Sequence, residues 1–267
     1  MRSRGLNWSA DPGAPVAVTV TGRAALLADL AGRMERGQGY AVATLNLDHV
    51  VKLRANPAFR RAYAAHSHVT ADGNPIVWLS RLAGDAVDLV PGSELVLPIA
   101  RLAAERGVPV GLFGSTDAAL SAAAEALIRA APGLKIVARI APPYGFDPEG
   151  PGADAAMAEL AQSGARLVFL ALGAPKQEIF AARAAQALPQ AGFLSVGAGL
   201  DFLAGRQSRA PRWMQRLALE WLWRLVLAPR RLGARYAACF AILPRLARDA
   251  LLERRAGRRA PGQAEGG

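Results

Sequence analysis

Short apolar segments alternate along the chain with Ala- and Leu-rich stretches whose hydrophobic positions recur every three or four residues. The short segments predict strands buried on both sides, and the longer stretches predict amphipathic helices. The predicted strands are Val16–Val20, Tyr40–Asn46, His68–Ala71, Val108–Phe113, Leu134–Ile140, Leu167–Leu172 and Gly192–Val196. The predicted helices are Arg23–Arg36, Asp48–Arg54, a helix restarted at Asn56-Pro57, Pro75–Leu82, Ser93–Arg106 capped by Ser93, a helix opened by Gly114-Ser115-Thr116 and running to Ala130, Asp154–Gln162 and Pro175–Leu188. The alternation predicts an α/β fold with a Rossmann-like, mostly parallel sheet and helices on both faces.

The pattern changes near Ala204–Arg209. Beyond this point no strand is predicted, and two helical stretches, about Pro211–Leu227 and Arg231–Leu243, precede a charged end that contains Gly and Pro. We therefore expect a flexible leader over residues 1–15, an α/β catalytic domain over 16–204 and an Arg- and Trp-rich helical appendage over 205–267.

Charge divides the chain at the same place. Residues 205–267 hold 14 Arg and four acidic residues, a net charge of +10, whereas the first 204 residues hold 18 basic and 17 acidic residues. A cationic tail on a near-neutral body predicts an anionic partner: lipid headgroups, phosphates or nucleic acid. Of the 267 residues, 52% are hydrophobic, which excludes wholesale disorder.

Several kinds of site and segment are not expected from the sequence. One cysteine, Cys239, excludes a disulfide within the chain and a Cys-cluster metal site. The histidines, His49, His66 and His68, lack metal-ligand spacing, and no Ser-His-Asp arrangement is suggested. The first 15 residues lack the apolar core of a signal peptide, and no run of 18 uncharged apolar residues predicts a transmembrane helix.

Polar side chains lie at the ends of two predicted strands, Tyr40–Asn46 and His68–Ala71. Thr44 and Asn46 end one of them, on the same side, where they could hydrogen-bond a sugar or base; alternatively, they cap the helix around Asp48. Asp72 follows the next strand and precedes a helix. A carboxylate there could deprotonate a hydroxyl, although capping the helix would equally explain it.

Glycine-rich turns follow two later strands. Gly173 would let a ligand approach the backbone, and Lys176 with Gln177 would point out of the first helical turn toward it; the alternative is a βα loop with polar surface residues. Gly197 begins a Gly-rich turn in which Asp201 could cap a helix or bind a ligand. Gly114-Ser115-Thr116 resembles a phosphate cradle, but it lacks the P-loop lysine, and an ordinary turn explains it better.

The appendage combines arginines with tryptophan and leucine. Arg212, Arg216, Glu220 and Arg224 are spaced four apart and form one polar stripe on a helix, with apolar residues around the rest. Such a helix suits a bilayer surface with anionic lipid, and Arg suits pyrophosphate. Packing on the α/β domain and nucleic-acid binding are the alternatives, and no nucleic-acid motif supports the second.

These blocks together resemble the WecG/TagA/CpsF glycosyltransferases (glycosyltransferase family 26) from about Val16 to Tyr236. The resemblance rests on the order and spacing of several blocks: Thr44-Leu45-Asn46, Asp72-Gly73 with Val77-Trp78, Pro91-Gly92-Ser93-Glu94-Leu95, Gly173-Ala174-Pro175-Lys176-Gln177-Glu178, Val196–Gly205, Arg209-Ala210-Pro211, Leu219-Glu220-Trp221, Arg224-Leu225, Pro229-Arg230-Arg231 and Arg235-Tyr236.

The resemblance implies an inverting, metal-independent transferase. It would move an N-acetylmannosamine-type sugar, N-acetylmannosaminuronate or a related hexose or uronate from a UDP donor to a polyprenyl-diphosphate-linked acceptor in cell-surface polysaccharide biosynthesis. Asp72 aligns with the family's proposed general base, and Thr44, Asn46 and Gln177 align with pocket residues. The C-terminal arginines align with an appendage thought to close the site, bind diphosphate and touch the membrane; in this chain they are Arg209, Arg224, Arg230, Arg231 and Arg235.

This interpretation predicts a cytoplasmic protein held peripherally on the inner face of the plasma membrane, with no cofactor and no nucleic-acid partner. The Ala- and Leu-rich surface and exposed tail also favour a homo-oligomer. A different class of function, a non-catalytic nucleotide-sugar-binding scaffold at the membrane, fits the same binding residues and differs only in lacking turnover.

Overall fold

The computed structural model describes residues 5–205, 210, 211, 214 and 219–259, without the side chains of 231, 258 and 259. Its sheet has six strands in the order β2-β1-β6-β5-β3-β4, and every strand pair is parallel. The strands are β1 (Tyr40–Leu45), β2 (His68–Ala71), β3 (Val110–Gly114), β4 (Ile136–Ile140), β5 (Leu167–Ala171) and β6 (Gly192–Ser195). The predicted α/β fold is therefore confirmed.

Helices pack around the sheet. The described ones are α1 (Arg23–Arg36), α2 (Leu47–Ala55), α3 (Pro57–Ala65), α4 (Asn74–Ala83), α5 (Gly92–Glu105), α6 (Asp117–Ala130), α7 (Pro151–Gln162), α8 (Lys176–Ala187), α9 (Gly199–Leu203), α10 (Glu220–Leu227) and α11 (Pro229–Arg259). Separate clusters of buried apolar side chains lie between these helices and the sheet, so the strands are covered on both faces.

The strand predicted at Val16–Val20 is wrong. This segment runs beside β2, and the backbone N–H groups of Thr19 and Val20 both donate to the carbonyl of Val69. The N–H of Val69, however, donates to the side-chain oxygen of Thr19, at 2.8 Å. Because the hydroxyl takes the donor that a neighbouring backbone carbonyl would need, no regular ladder forms.

The expectation of a loose leader is also wrong for residues 5–15. Leu6 and Trp8 are buried in the same apolar cluster as Val16, and Trp8 is only 1% exposed. The Asn7 side chain accepts hydrogen bonds from the backbone of Ser9 and Val16, which closes this segment into a compact loop. Burial of a large aromatic ring holds the segment on the domain.

The helix α5 begins before the predicted cap. Its first residue is Gly92 and its N-cap is Pro91, without a side-chain capping bond, so Ser93 lies inside the first turn. The backbone of Gly92 packs tightly on the sheet: a Cβ there would lie 3.1 Å from Cγ2 of Thr44 and 3.2 Å from the carbonyl oxygen of Ser195. The α5 N-terminus is therefore held against the carboxyl ends of β1 and β6.

The C-terminal helix α11 is longer than predicted and is partly built into the core. It continues through Pro244 to Arg259 instead of ending at Leu243. Leu246 and Ala250 are fully buried against the cluster formed with α2 and α4. The packing alternative considered for the appendage therefore holds for this half of α11.

Candidate active site

The strand order brings four strand ends into one region. In register, Leu45 of β1 lies beside Ala71 of β2, and Leu170 of β5 lies beside Ser195 of β6. The chain runs from β1 to β2 at one edge and then crosses to β3 in the other half of the sheet. Ligands of open α/β sheets bind outside the carboxyl ends of strands at such a change of direction.

Asp72 lies in this region, directly after β2. Its backbone N–H donates to the carbonyl of Leu45 at 2.7 Å, which ties the residue to the end of β1. It does not cap α4, because the N-cap is Gly73, with φ +116° and no side-chain capping bond. The capping alternative is thereby excluded, and the carboxyl group of Asp72 has no helix-capping task.

The surroundings of Asp72 raise the pKa of its carboxyl group to about 6. Removal from water is the main cause, while the guanidinium of Arg224 and a hydrogen bond from the Thr44 hydroxyl lower it and the carboxylates of Glu220 and Glu94 raise it further. A carboxyl group with this pKa is still ionised at neutral pH and is a stronger base than an exposed aspartate.

Thr44 and Asn46 have different surroundings. Thr44 is 4% exposed, and its hydroxyl lowers the pKa of the Asp72 carboxyl group, so it favours the ionised carboxylate. Asn46 is the N-cap of α2, and its side-chain oxygen accepts from the N–H of His49 at 3.0 Å. The capping alternative therefore holds for Asn46, whose oxygen is engaged by the helix.

The turns after β5 and β6 are joined by one side chain. The Oε1 atom of Gln177 accepts from the N–H of Gly173 at 3.3 Å and from the N–H of Gly197 at 3.1 Å. Gln177 is only 2% exposed, so the expectation that it points out of the helical turn is wrong. Lys176, one residue earlier, is partly exposed at the start of α8.

Both glycines of these turns have left-handed backbones. The φ angle is +74° at Gly173 and +53° at Gly197, a region that residues with a Cβ rarely adopt. A Cβ built at either position would have no heavy atom within 4 Å, apart from its immediate surroundings along the chain. The conformation thus explains the two glycines, and the open space leaves their backbones approachable.

Asp201 and the turn after β3 lie together. The Ser115 hydroxyl donates to Oδ1 of Asp201 at 2.7 Å, and Thr116 caps α6 by accepting from the N–H of Ala119. Ser115 has a φ of +50°, a left-handed conformation that is uncommon for a residue other than glycine. The ordinary-turn interpretation of Gly114-Ser115-Thr116 fits this arrangement, and Asp201 contacts that turn from α9.

The N-terminus of α5 belongs to the same region, although we did not predict its residues as site residues. A Cβ at Gly199 would lie 3.3 Å from Cα of Ser93, and the charge of Glu94 acts on Asp72. Glu94 also pairs with Arg23 of α1. The Pro-Gly-Ser-Glu block was visible in the sequence, but only the packing of Gly92 on β1 shows that it adjoins Asp72.

The helix α10 lies on the Asp72 side of the domain. Arg224 acts electrostatically on Asp72, and its guanidinium carbon lies 5.8 Å from the ring centre of Phe202 on α9. It also pairs with Glu220 at 2.8 Å, as the four-residue spacing predicts. Helix α10 rests on α11, where Trp221 contacts Phe240 with ring centres 5.2 Å apart.

The other arginines predicted to bind diphosphate differ in their surroundings. Arg235 pairs with the buried carboxylate of Asp48 at 2.8 Å, and Lys52 pairs with the same oxygen while donating to the carbonyl of Ala174. Arg230 is exposed at the start of α11. Arg209 and the side chain of Arg231 lie outside the described residues, so their predicted roles stay predictions.

The histidines are buried in the α/β domain. The pKa of His49 falls to about 3 and that of His66 to about 4, chiefly because burial disfavours the charged ring. His49 lies 2.7 Å from the Tyr63 hydroxyl, and His68 pairs with Asp29. Within residues 5–205 and 219–259, together with the isolated described positions, no three His, Cys, Asp or Glu side chains are grouped to hold a metal ion.

Residues 13–259 match the sequence model described as the glycosyl transferase WecG/TagA/CpsF family. The match covers the whole sheet, α10 and the C-terminal helix. Members of this family are glycosyltransferases of cell-surface polysaccharide biosynthesis, which use a nucleotide-sugar donor and a lipid-linked acceptor in general. The Asp72 region at the carboxyl edge of the sheet is therefore a candidate transferase site.

Proposed function

Because the chain belongs to the WecG/TagA/CpsF family of glycosyltransferases, we propose that it is an inverting, UDP-sugar-dependent hexosyltransferase. The donor carries an N-acetylmannosamine-type sugar, N-acetylmannosaminuronate or a related hexose or uronate, and the acceptor is a sugar on polyprenyl diphosphate. The observation that carries this proposal is Asp72: a partly buried carboxylate that does not cap a helix and whose pKa is lowered by the charge of an arginine of the appendage.

In the proposed reaction Asp72 accepts the proton of the acceptor hydroxyl. The hydroxyl oxygen forms a bond to the anomeric carbon of the donor, and the bond from that carbon to the UDP oxygen breaks, which inverts the configuration. Thr44 stabilises the ionised form of Asp72 by its hydrogen bond. The base and the leaving group thus act on opposite sides of the anomeric carbon.

The departing UDP carries negative charge that needs stabilisation. We propose that Arg224 and Arg230, with Arg209 and Arg231, supply it in place of a metal ion, because guanidinium groups match phosphate oxygens in charge and geometry. Arg235 pairs with Asp48 through one guanidinium nitrogen and is partly exposed, so its other N–H groups could contribute to the same phosphate site. The turns at Gly173 and Gly197 would lie against the donor, with Lys176 and Asp201 at their flanks.

The appendage carries features that suit a bilayer surface. Val226, Leu227 and Phe240 are exposed apolar side chains, and Arg230 lies close to two of them in sequence. None of the helices within the described ranges combines the length and apolarity needed to cross a bilayer. We propose peripheral attachment to the cytoplasmic face of the plasma membrane through this surface.

Substitution of Val226→Asp and Leu227→Asp together should abolish most binding to anionic vesicles, since two carboxylates would face the lipid. Vesicle flotation with and without phosphatidylglycerol measures this effect. The double change Val226→Leu with Leu227→Val is the matched control and should bind normally. Equal flotation of the Asp variant, or salt-sensitive binding to nucleic acid without vesicle binding, would contradict the membrane assignment.

A panel of UDP-sugars tests the proposed function directly. Full-length protein is incubated with each donor and a short polyprenyl-diphosphate-sugar acceptor, and UDP release is measured with and without the acceptor. We expect one donor class to give acceptor-dependent UDP release. Binding of UDP-sugar without turnover over every acceptor would instead establish the non-catalytic scaffold.

The activity should fall at acidic pH because Asp72 must be ionised to accept a proton. With its pKa at about 6, kcat/KM should decrease about tenfold per pH unit below that value and level off above it. Thr44→Val should move this acidic limb to higher pH, because the lost hydrogen bond stabilises the carboxylate. A limb near pH 4, or one unchanged in Thr44→Val, would argue against Asp72 as the base.

A further inference from the structure

The first turn of α8 buries a carboxyl group that has no part in the proposed chemistry. Glu178 is fully buried, and its Oε1 accepts a hydrogen bond from Nε2 of Gln177 at 2.8 Å. Its other oxygen makes no hydrogen bond to any described residue. A carboxyl group is expensive to bury, so its presence here calls for a function that an apolar residue would not serve.

The partner of Glu178 is the side chain that joins the two glycine turns. One end of the Gln177 amide faces two N–H donors, those of Gly173 and Gly197, and the other end faces Glu178. The two ends of an amide are nearly equal in shape but opposite in hydrogen bonding. If the amide were reversed, its NH2 group would face two N–H donors and its oxygen would face a carboxylate.

We propose that Glu178 is a positioning residue that fixes the orientation of the Gln177 amide and so ties together the turns after β5 and β6. With an acceptor at Glu178 and two N–H donors at Gly173 and Gly197, every one of these groups is satisfied when Oε1 of Gln177 faces the glycines and its NH2 group faces Glu178. The tie itself follows from these contacts, whereas its consequence, a preformed surface for UDP, rests on the proposed function.

The contact made by Gln177 matters because a glycine with positive φ makes the backbone of each turn adaptable. Each contains a glycine with positive φ and open space around it, and glycine gives the backbone more freedom than any other residue. Their strands are neighbours, with Leu170 of β5 beside Ser195 of β6. A single buried amide with both ends hydrogen-bonded therefore sets the spacing of the two turns. These turns lie on the side of the site where we propose that the UDP-sugar binds.

Glu178→Met tests the inference by removing the acceptor at nearly constant length. Hydrogen exchange at the N–H groups of Gly173 and Gly197 should become about tenfold faster, and the Kd for UDP should rise by about the same factor, because a buried donor loses its partner. Glu178→Gln is the matched control: its amide oxygen still accepts from Gln177, so both values should stay within about threefold of wild type.

Swapping the two side chains distinguishes a loss of amide orientation from a general loss of protein stability. Gln177→Glu places two carboxyl groups face to face and should lose the tie. In the double variant Gln177→Glu/Glu178→Gln, the amide at 178 donates to the carboxylate at 177, whose other oxygen accepts from the glycines. Exchange protection and UDP affinity should therefore recover most of what the single change loses, which loss of packing alone would not produce.

Three results would overturn the inference: unchanged exchange at both glycines in Glu178→Met, an unchanged UDP Kd in that variant, or no recovery in the double variant. If wild-type protein binds no UDP, the proposed function fails instead. The exchange rates of the variants then still decide whether Glu178 orients Gln177, because they are measured on the protein without ligand.

Discussion

Substitution of Asp72 by Asn should reduce sugar transfer by about 10²–10⁴-fold, the usual contribution of a general base. The amide keeps the size of the carboxyl group and can still accept the hydrogen bond from Thr44, but it cannot take a proton at neutral pH. The change removes a carboxylate that is costly to desolvate, so thermal stability should be unchanged or higher. Initial rates of UDP release and UDP affinity measured on the same preparation check this prediction.

Asp117→Asn is the matched control for that experiment. Asp117 is exposed at the first position of α6, which follows β3, so it also lies after the carboxyl end of a strand. No contact places it beside Asp72, and we expect normal transfer in the variant. Full activity in Asp72→Asn, or equal losses in the two variants, would remove Asp72 from the base role.

Substitution of Arg224 by Ala should lower kcat by about 100-fold, comparable to the loss of one transition-state hydrogen-bond donor. Two effects act in the same direction. The developing charge on UDP loses a guanidinium, and the pKa of Asp72 rises because Arg224 is the largest influence that lowers it. The acidic limb of the pH–rate profile should therefore move to higher pH as kcat falls.

Arg129→Ala provides the control because it removes the same kind of surface pair. Arg129 pairs with Glu125 on α6, four residues apart, as Arg224 pairs with Glu220 on α10. Exposed pairs of this kind add little to stability, so both variants should unfold at nearly the same temperature as wild type. If Arg224→Ala transferred sugar as fast as Arg129→Ala, the appendage would have no role in the chemistry.

These variants test the appendage better than deletion from residue 205 onward. Leu246 and Ala250 of α11 are fully buried on the α/β domain, and Asp249 pairs with Arg54 of α2. A truncated protein would expose this apolar surface and lose stability, whatever the role of the arginines in catalysis. Point substitutions leave the packing of α11 intact.

The element order was predictable because hydrophobic periodicity is a local property. Most strands and helices lie within two or three residues of their predicted limits, and Asp72 became a candidate from its position between a strand and a helix. The glycine turns were recognised for the same reason. The hydrophobic pattern wrongly predicted a strand at Val16–Val20, because the Thr19 side chain takes the N–H of Val69 in place of a backbone carbonyl.

The end of α11 shows how tertiary packing overrides a local signal. Pro244 has no backbone N–H to donate and normally ends or kinks a helix, which favoured an end at Leu243. In the structure the helix continues because Leu246 and Ala250, beyond the proline, bury their side chains against the core. The gain from this burial comes from residues far away in the sequence, which no local pattern contains.

The sequence by itself determined the α/β class, the cationic appendage and the set of polar residues that follow strands. Only the tertiary structure decided which of them meet: Thr44 acts on Asp72 from the end of the neighbouring strand, Gln177 is turned inward to Glu178, and the charge of Arg224 reaches Asp72. Local order follows from the spacing of apolar residues along one segment, whereas a site depends on distances between segments, which are set when distant side chains are buried together.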